Sequence, residues 1–296
     1  MRAAVVRTFG GPEAVEIAEV PVPVPGTRQV RIKVAAGALN PVDAASRAGF
    51  FGGAGKTIGL GWDVAGTVDA VGAPAAWNVG DAVVALVPGV ADPLGAHAEY
   101  VVVDAGAVAA APASADAVHA GTLPLNGLTA LQALELLDLA PGGKLLVTGA
   151  AGAVGGFAVQ LAAHRGIEVV GHARAGDEEL VRSLGAARFT ADGVERGAVD
   201  AVLDAAVLGA PALEWVRDGG AFVAVRDGVL PEAERGVRRE NVWVRADGAQ
   251  LAELVRLVDD GVLTLRVAEV YALQEAAKAH ARLGEGGVRG RLVLVP

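Results

Sequence analysis

Lys144-Leu145-Leu146-Val147-Thr148-Gly149-Ala150-Ala151-Gly152-Ala153-Val154-Gly155 reads as an apolar strand, a turn of small residues and the opening of a helix. This is the pattern of a dinucleotide fingerprint, in which each glycine has its own task. Gly152 lets the backbone approach a pyrophosphate, and Gly155 lets the helix pack closely on the strand. The amides and dipole of the helix N-terminus then hold the anion, with Ala153 and Val154 supplying the first amides. Ala150 stands where the first glycine usually lies. No Gly-Lys-Ser/Thr follows, so the turn is not a P-loop.

The strand that follows the turn's helix, Glu168 to His172, indicates the kind of nucleotide. NAD sites place an acid at the end of this strand to bind the ribose hydroxyls. Here the strand end reads His172-Ala173-Arg174. Arg174 is suited to a 2′-phosphate, with His172 beside it, so NADPH is the expected cofactor. The structural alternative for Arg174 is a solvated loop residue. Asp177 and Glu178 come later and suit the first turn of a helix.

Strands and helices alternate on both sides of this unit. Helices are expected at Leu125–Leu137, Ala153–His164, Glu178–Leu184, Ala210–Arg217 and Gln250–Val258. Strands are expected at Lys144–Val147, Glu168–His172, Asp200–Asp204, Ala221–Val225 and Asn241–Arg245. Such alternation predicts a doubly wound parallel sheet. The first third differs. Short Val- and Ala-rich runs at Ala3–Val6, Val15–Val20, Gln29–Ala36, Val64–Val71, Ala82–Leu86 and Ala98–Val103 are separated by Gly/Pro turns, which suggests a small barrel or sandwich. The last stretch returns to short strands around a helix at Leu273–Arg282. The chain therefore divides into residues 1–121, an α/β segment at 122–261, and a return to the first domain at 262–296.

Composition removes several classes. Of 296 residues, 53% are hydrophobic, enough for a sizeable core. A net charge of −9 argues against a general nucleic-acid binder, which needs an electropositive face. With no cysteine, disulfides and cysteine-ligated zinc are excluded. Leu145 to Ala163 is uncharged and as long as a membrane span, but its glycines fall where a turn belongs, so strand-turn-helix is the better reading. The N-terminus lacks a signal-peptide pattern, and a cytoplasmic protein is expected.

The order of several short motifs resembles the zinc-free quinone oxidoreductase branch of the medium-chain dehydrogenase/reductase family. Ala150-Ala151-Gly152-Ala153-Val154-Gly155 resembles that branch's cofactor turn. Asn40-Pro41-Val42-Asp43, Gly61-Trp62-Asp63-Val64-Ala65-Gly66, Val79-Gly80-Asp81-Ala82-Val83 and Gly95-Ala96-His97-Ala98-Glu99-Tyr100 follow in the family's order. Leu123-Pro124-Leu125-Asn126-Gly127-Leu128-Thr129-Ala130 resembles the helix entering the cofactor domain, and Gly290-Arg291-Leu292-Val293-Leu294 the closing strand. The resemblance implies an α/β chain with a GroES-like β-barrel catalytic domain, a Rossmann doubly wound parallel-sheet domain, an active cleft between the two, and a homodimer. Zinc-dependent relatives carry a Cys and a Gly-His-Glu where this chain reads Leu39-Asn40 and Gly61-Trp62-Asp63. Phe50 and Phe51 stand where some members have tyrosines.

The resemblance implies a place for Asn40 near the nicotinamide ribose and amide; the plain alternative is a turn residue before Pro41. Asp43 is expected to orient the loop or cap a helix, and Trp62 to wall a substrate pocket or pack in the core. Asn126 and Thr129 would touch the cofactor or cap the helix. Asp204 ends a strand of the cofactor domain. The five histidines show no ligand spacing, and no Tyr-x-x-x-Lys pair exists. Without a metal, the charge that develops in hydride transfer must rest on a conjugated carbonyl, so quinones and α,β-unsaturated carbonyls suit the chain and simple alcohols do not. An enoyl reductase acting on a polyketide-like intermediate and a non-catalytic NADPH-binding protein are the alternatives.

Overall fold

A computed structural model describes every residue except Ala75, Ala91 and Asp227. The chain forms two compact units. The first comprises Met1–Leu125, Arg245–Asp260 and Leu265–Pro296; the second comprises Asn126–Val244 and Gly261–Thr264.

In the first unit the strands are β1 (Arg2–Val6), β2 (Glu16–Glu19), β3 (Gln29–Leu39), β4 (Ile58–Gly59), β5 (Asp63–Val71), β6 (Ala82–Leu86), β7 (Tyr100–Asp104) and β8 (Val108–Ala110). The helices α1 (Pro41–Arg47) and α2 (Ala117–Ala120) belong with them. The longest strand, β3, alternates in its first half: Val30, Ile32 and Val34 are buried, while Arg31 and Lys33 face outward. It pairs antiparallel with both β5 and β7, with register shifts against β5 that bend the sheet.

The C-terminal strands β15 (Val267–Ala272) and β16 (Arg291–Val295) complete this unit. Leu292, Val293 and Leu294 pair with Leu39, Ala38 and Gly37, so the chain end is joined to β3 by a ladder. The larger sheet runs β15-β16-β3-β5-β6-β8, and β2-β1-β4 form a smaller one. Leu39, Leu60, Tyr271, Leu273, Leu292 and Leu294 share one core cluster with Ala4 and Val6.

The second unit contains β9 (Lys144–Thr148), β10 (Glu168–His172), β11 (Arg188–Thr190), β12 (Val199–Asp204), β13 (Val216–Ala224) and β14 (Arg238–Asn241). They form one sheet of order β11-β10-β9-β12-β13-β14, and every pair in it is parallel. This is the doubly wound order, and its two halves diverge between β9 and β12. Near-continuous apolar runs such as Leu145-Leu146-Val147 and Ala221–Ala224 are buried, as both faces of a parallel sheet must be. Its helices are α4 (Ala153–His164), α5 (Glu178–Ser183) and α6 (Ala210–Leu213); α3 (Pro124–Leu137) starts at the unit boundary.

Three expectations are corrected. The helix expected over Ala210–Arg217 ends at Leu213, because Val216 is buried and pairs with Val199 as the start of β13. The strand expected at Asn241–Arg245 is shifted to Arg238–Asn241, where the ladder with Ala221–Ala224 holds it. Residues 245–260, expected within the α/β segment, group with the first unit. There α7 (Gly248–Asp259) begins so close to β8 that a Cβ on Gly248 would lie 2.5 Å from the Val108 carbonyl oxygen. Asp259 also accepts from the Ser114 amide and hydroxyl at 2.9 and 2.7 Å. The remaining helix, α8, spans Ala276–Glu285. No helix among the described residues is long and apolar enough to cross a membrane.

Candidate functional site

In the second unit, Gly149 leaves β9 with φ +60, a conformation that favours glycine. Gly152 caps α4 with no side-chain bond to the helix, and no acid lies in the first turn. The amides of Ala153, Val154 and Gly155 make no hydrogen bond among the described residues. A helix start of this kind presents unpaired donors and a positive dipole end to an anion. Gly155 is required by packing: a Cβ there would lie 2.2 Å from the Gly149 carbonyl oxygen. At Gly152 the nearest atom would be the same oxygen at 3.0 Å.

At the end of β10, Arg174 is exposed and its guanidinium makes no hydrogen bond or ion pair among the described residues. His172 is half-buried and lies 5.2 Å, centroid to centroid, from the Trp215 ring in a tilted arrangement. Its Nδ1 is buried without a partner, and burial lowers its pKa below the ordinary histidine value. Burial thus favours the neutral form of the His172 ring.

Asp204 is fully buried at the end of β12. Its Oδ1 accepts from the Thr148 hydroxyl at 2.6 Å and from the Leu208 amide at 3.1 Å, and its Oδ2 accepts from the Gly209 amide at 2.8 Å. Its oxygens are thus committed to Thr148 of β9 and to the loop that follows β12. Asn126 and Thr129 are buried on α3.

In the first unit, the turn before α1 and the turn before β5 are tied by buried carboxylates. Asp43 accepts from the Asn40 amide at 2.8 Å and from the Gly61 amide at 2.8 Å. Asp63 accepts from Asn40 Nδ2 at 2.6 Å and from the Leu125 amide at 2.6 Å. Asn40 Oδ1 accepts from an Arg291 Nη at 2.5 Å, and the same Nη donates to the Leu39 carbonyl at 2.8 Å. Both carboxylates are pushed upward in pKa, chiefly by burial, and Asp63 reaches about 7. Asn40, Asp43 and Asp63 are at most 1% exposed.

Trp62 belongs to the turn before β5 and is half-buried, with an indole N–H that makes no hydrogen bond among the described residues. Gly61 before it has φ +99, and a Cβ there would lie 2.3 Å from the His97 amide nitrogen. Nearby in sequence, Phe50 is exposed and contacts Phe51 edge-on at 5.1 Å.

The sequence-predicted residues therefore fall into three groups. Asn40, Asp43 and Trp62 gather in the first unit, Gly152, Ala153, Val154, Gly155, His172, Arg174 and Asp204 lie at strand ends and the α4 start of the second, and Asn126 and Thr129 lie apart from them on α3. Three contributors were missed: Asp63, which entered only as part of the Gly61–Gly66 motif, Arg291 and Thr148. Arg291 had a faint signal as a lone cation opening the apolar strand Leu292–Leu294. Thr148 had another, as the polar end of Leu145–Val147.

Residues 26–113 match the alcohol dehydrogenase GroES-like domain model, and residues 175–294 match the model described as zinc-binding dehydrogenase. The chain is 32% identical over 313 residues to an Arabidopsis thaliana NADPH-dependent alkenal/one oxidoreductase of the chloroplast, covering 100% of this chain and 80% of that one. It is 30% identical over 322 residues to a Pseudomonas aeruginosa quinone oxidoreductase, covering 97% of each. Among solved structures it resembles the quinone oxidoreductase from Coxiella burnetii, with TM-score 0.89 and 28% identity over 100% of this chain and 99% of that one.

Proposed function

Because the chain belongs to the quinone oxidoreductase branch of the medium-chain dehydrogenase/reductase family, we propose that it is an NADPH-dependent reductase that passes hydride to a quinone or an α,β-unsaturated carbonyl without a metal. The observation that carries this reading is the nucleotide end of the second unit: three unpaired amides at the start of α4, followed at the next strand end by an uncommitted Arg174 and no acid.

The residues present fit such a cofactor. Gly152, Ala153, Val154 and Gly155 would hold the pyrophosphate through backbone amides. Arg174 would pair with the 2′-phosphate, because its planar fork offers several donors to one anion. His172 would line the same strand end as a neutral ring, and Asn126 and Thr129 remain proposed cofactor contacts on α3. Asp204 would act indirectly, through the loop it holds. When bound, the nicotinamide supplies the hydride; the protein supplies orientation and charge stabilisation.

On the substrate side, hydride addition leaves negative charge on a conjugated oxygen. The unpaired Trp62 indole N–H is the proposed donor to it. Asn40 and Asp43 would hold the Trp62 turn rigid, since their own polar atoms are committed to Asp63, Arg291 and Gly61. The positions of zinc ligands in related dehydrogenases hold Asn40 and Trp62-Asp63, which is why a metal is left out of the proposal. A homodimer and a cytoplasmic location complete the reading. The exposed Trp243, just beyond edge strand β14, supports the dimer.

The test is NADPH oxidation against a panel of simple quinones, enones, enoyl thioesters and alcohols. Turnover of quinones or enones with none of alcohols is expected. Turnover of enoyl thioesters alone would move the assignment to an enoyl reductase, and NADPH binding with no turnover would leave a non-catalytic binder.

A further inference from the structure

At the point where the two halves of the parallel sheet diverge, Thr148 of β9 and Asp204 of β12 are register partners. Ligands of open α/β sheets bind outside the carboxyl ends of the strands at such a point. Both side chains are completely buried, and they are bonded hydroxyl to carboxylate at 2.6 Å.

The loop that follows, Ala205–Gly209, folds back over this pair. The Thr148 hydroxyl oxygen accepts from the Ala206 amide at 2.8 Å. Asp204 accepts from the Leu208 amide at 3.1 Å and the Gly209 amide at 2.8 Å. Three loop amides are thereby turned inward. Val207, between them, is left with φ +61, a left-handed conformation that a β-branched residue adopts only under constraint. Its amide makes no hydrogen bond among the described residues, and the residue is only half-buried.

The same loop lies against the beginning of the nucleotide turn. A Cβ on Gly149 would meet the Ala206 nitrogen at 3.3 Å and the Ala205 carbonyl carbon at 3.4 Å. The missing side chain at Gly149 is what lets the loop sit beside the turn that leads into α4.

We infer that Thr148 and Asp204 are positioning residues which, by fastening the neighbouring amides, aim the Val207 N–H as a hydrogen-bond donor at an oxygen of the bound dinucleotide's ribose–pyrophosphate. This rests on the proposed NADPH reading and adds to it a donor outside the glycine turn. The Asp204 carboxylate does not touch the nucleotide. It would repel phosphate if it did, and its burial behind the loop removes that contact.

Amide hydrogen exchange read residue by residue by NMR on the full chain, with and without NADPH, tests the idea. Without NADPH, the amides of Ala206, Leu208 and Gly209 exchange slowly and Val207 exchanges fast. At saturating NADPH, Val207 slows by about tenfold or more, as a newly bonded amide does. Thr148→Val removes one fastening and should weaken NADPH binding about 2- to 10-fold, the worth of one neutral hydrogen bond. It should also abolish the Val207 protection, whereas Thr148→Ser keeps both. If Thr148→Val does not fold, the wild-type exchange data decide alone. NADPH saturation, followed by nicotinamide fluorescence, with Val207 exchange unchanged overturns the inference while leaving the proposed function standing. No NADPH binding at all overturns both.

Discussion

Asn40 Nδ2 donates to Asp63 Oδ2 at 2.6 Å, and both residues are buried. This bond joins the turn before α1 to the start of β5. Asp63 extends the connection to the Leu125 amide, at the first turn of α3, and Arg291 clamps the other end of the Asn40 amide from β16. Four segments far apart in sequence are therefore linked through two buried side chains, Asn40 and Asp63. The arrangement holds both ends of the Asn40 side-chain amide, and the buried Asp63 carboxyl makes its surroundings respond to pH.

Asp63 should make the protein less stable as pH rises through the weakly acidic range. Burial raises its folded pKa to about 7, well above the ordinary carboxylate value of the unfolded chain. Between about pH 4 and 7 the native state then holds a proton that the unfolded state has released. The Asp63 contribution is greatest below that window and declines across it. Asp63→Asn removes this slope. It should also cost about 1–3 kcal/mol, because an amide cannot accept from both the Leu125 N–H and Asn40 Nδ2. Calorimetric midpoints from pH 4 to 8 check both effects, and an unchanged slope in the variant would contradict the assignment.

His280 should act in the opposite sense. Desolvation depresses its pKa to about 3, and the nearby His97 and Arg47 add to this. The folded state keeps the ring neutral while the unfolded state takes a proton below about pH 6.5. Stability from this group is complete above that pH and is lost as pH falls toward 3. His280→Gln, which retains an acceptor for Arg47, should unfold less readily on acidification than wild type relative to its own stability at pH 8. Urea unfolding at pH 4.5 and 8 measures the difference.

Arg174→Ala should weaken NADPH binding and leave NADH nearly unaffected. A charge-assisted hydrogen bond contributes roughly 1.5–3 kcal/mol, which corresponds to about a 10- to 150-fold change in affinity. Burial lowers the His172 pKa and so favours its neutral ring. The NADPH preference of wild type should therefore change little between pH 7 and 8. Paired titrations with the two cofactors test this; equal losses for both would make Arg174 a structural residue.

Trp243→Ser should shift the protein toward monomer. Trp243 is 65% exposed beside Val242, which is buried. An exposed indole next to an edge strand is a ready surface for a second copy. Sedimentation at micromolar concentration is expected to give a dimer for wild type and a larger monomer fraction for the variant. A monomeric wild type would end the proposal.

Prolonged chelation should leave the NADPH-dependent rate unchanged. The charge that develops on the substrate is assigned to a hydrogen-bond donor, Trp62, rather than to a metal. Trp62→Phe keeps the ring and removes the N–H, and should lower kcat by more than it raises KM. A rate lost to chelator and restored by zinc would refute this.

The strand-turn-helix at Lys144–Gly155, the absence of an acid at His172-Ala173-Arg174, the absence of cysteine and the alternation that announces a parallel sheet are all legible in the linear order of residues. These are short-range features: periodicity, glycine placement and residue type are decided within a dozen positions. Which distant side chains meet depends on how the strands pair. Arg291 reaches Asn40 across 251 positions because β16 pairs with β3. Thr148 bonds Asp204 because the chain order places β12 beside β9. The ends of Ala210–Arg217 and Asn241–Arg245 moved for a related reason. Pairing with Val199 and with Ala221–Ala224 outweighed local propensity there. Burial works in the same way, since Asp63 becomes a near-neutral titrating group only when folding removes its water.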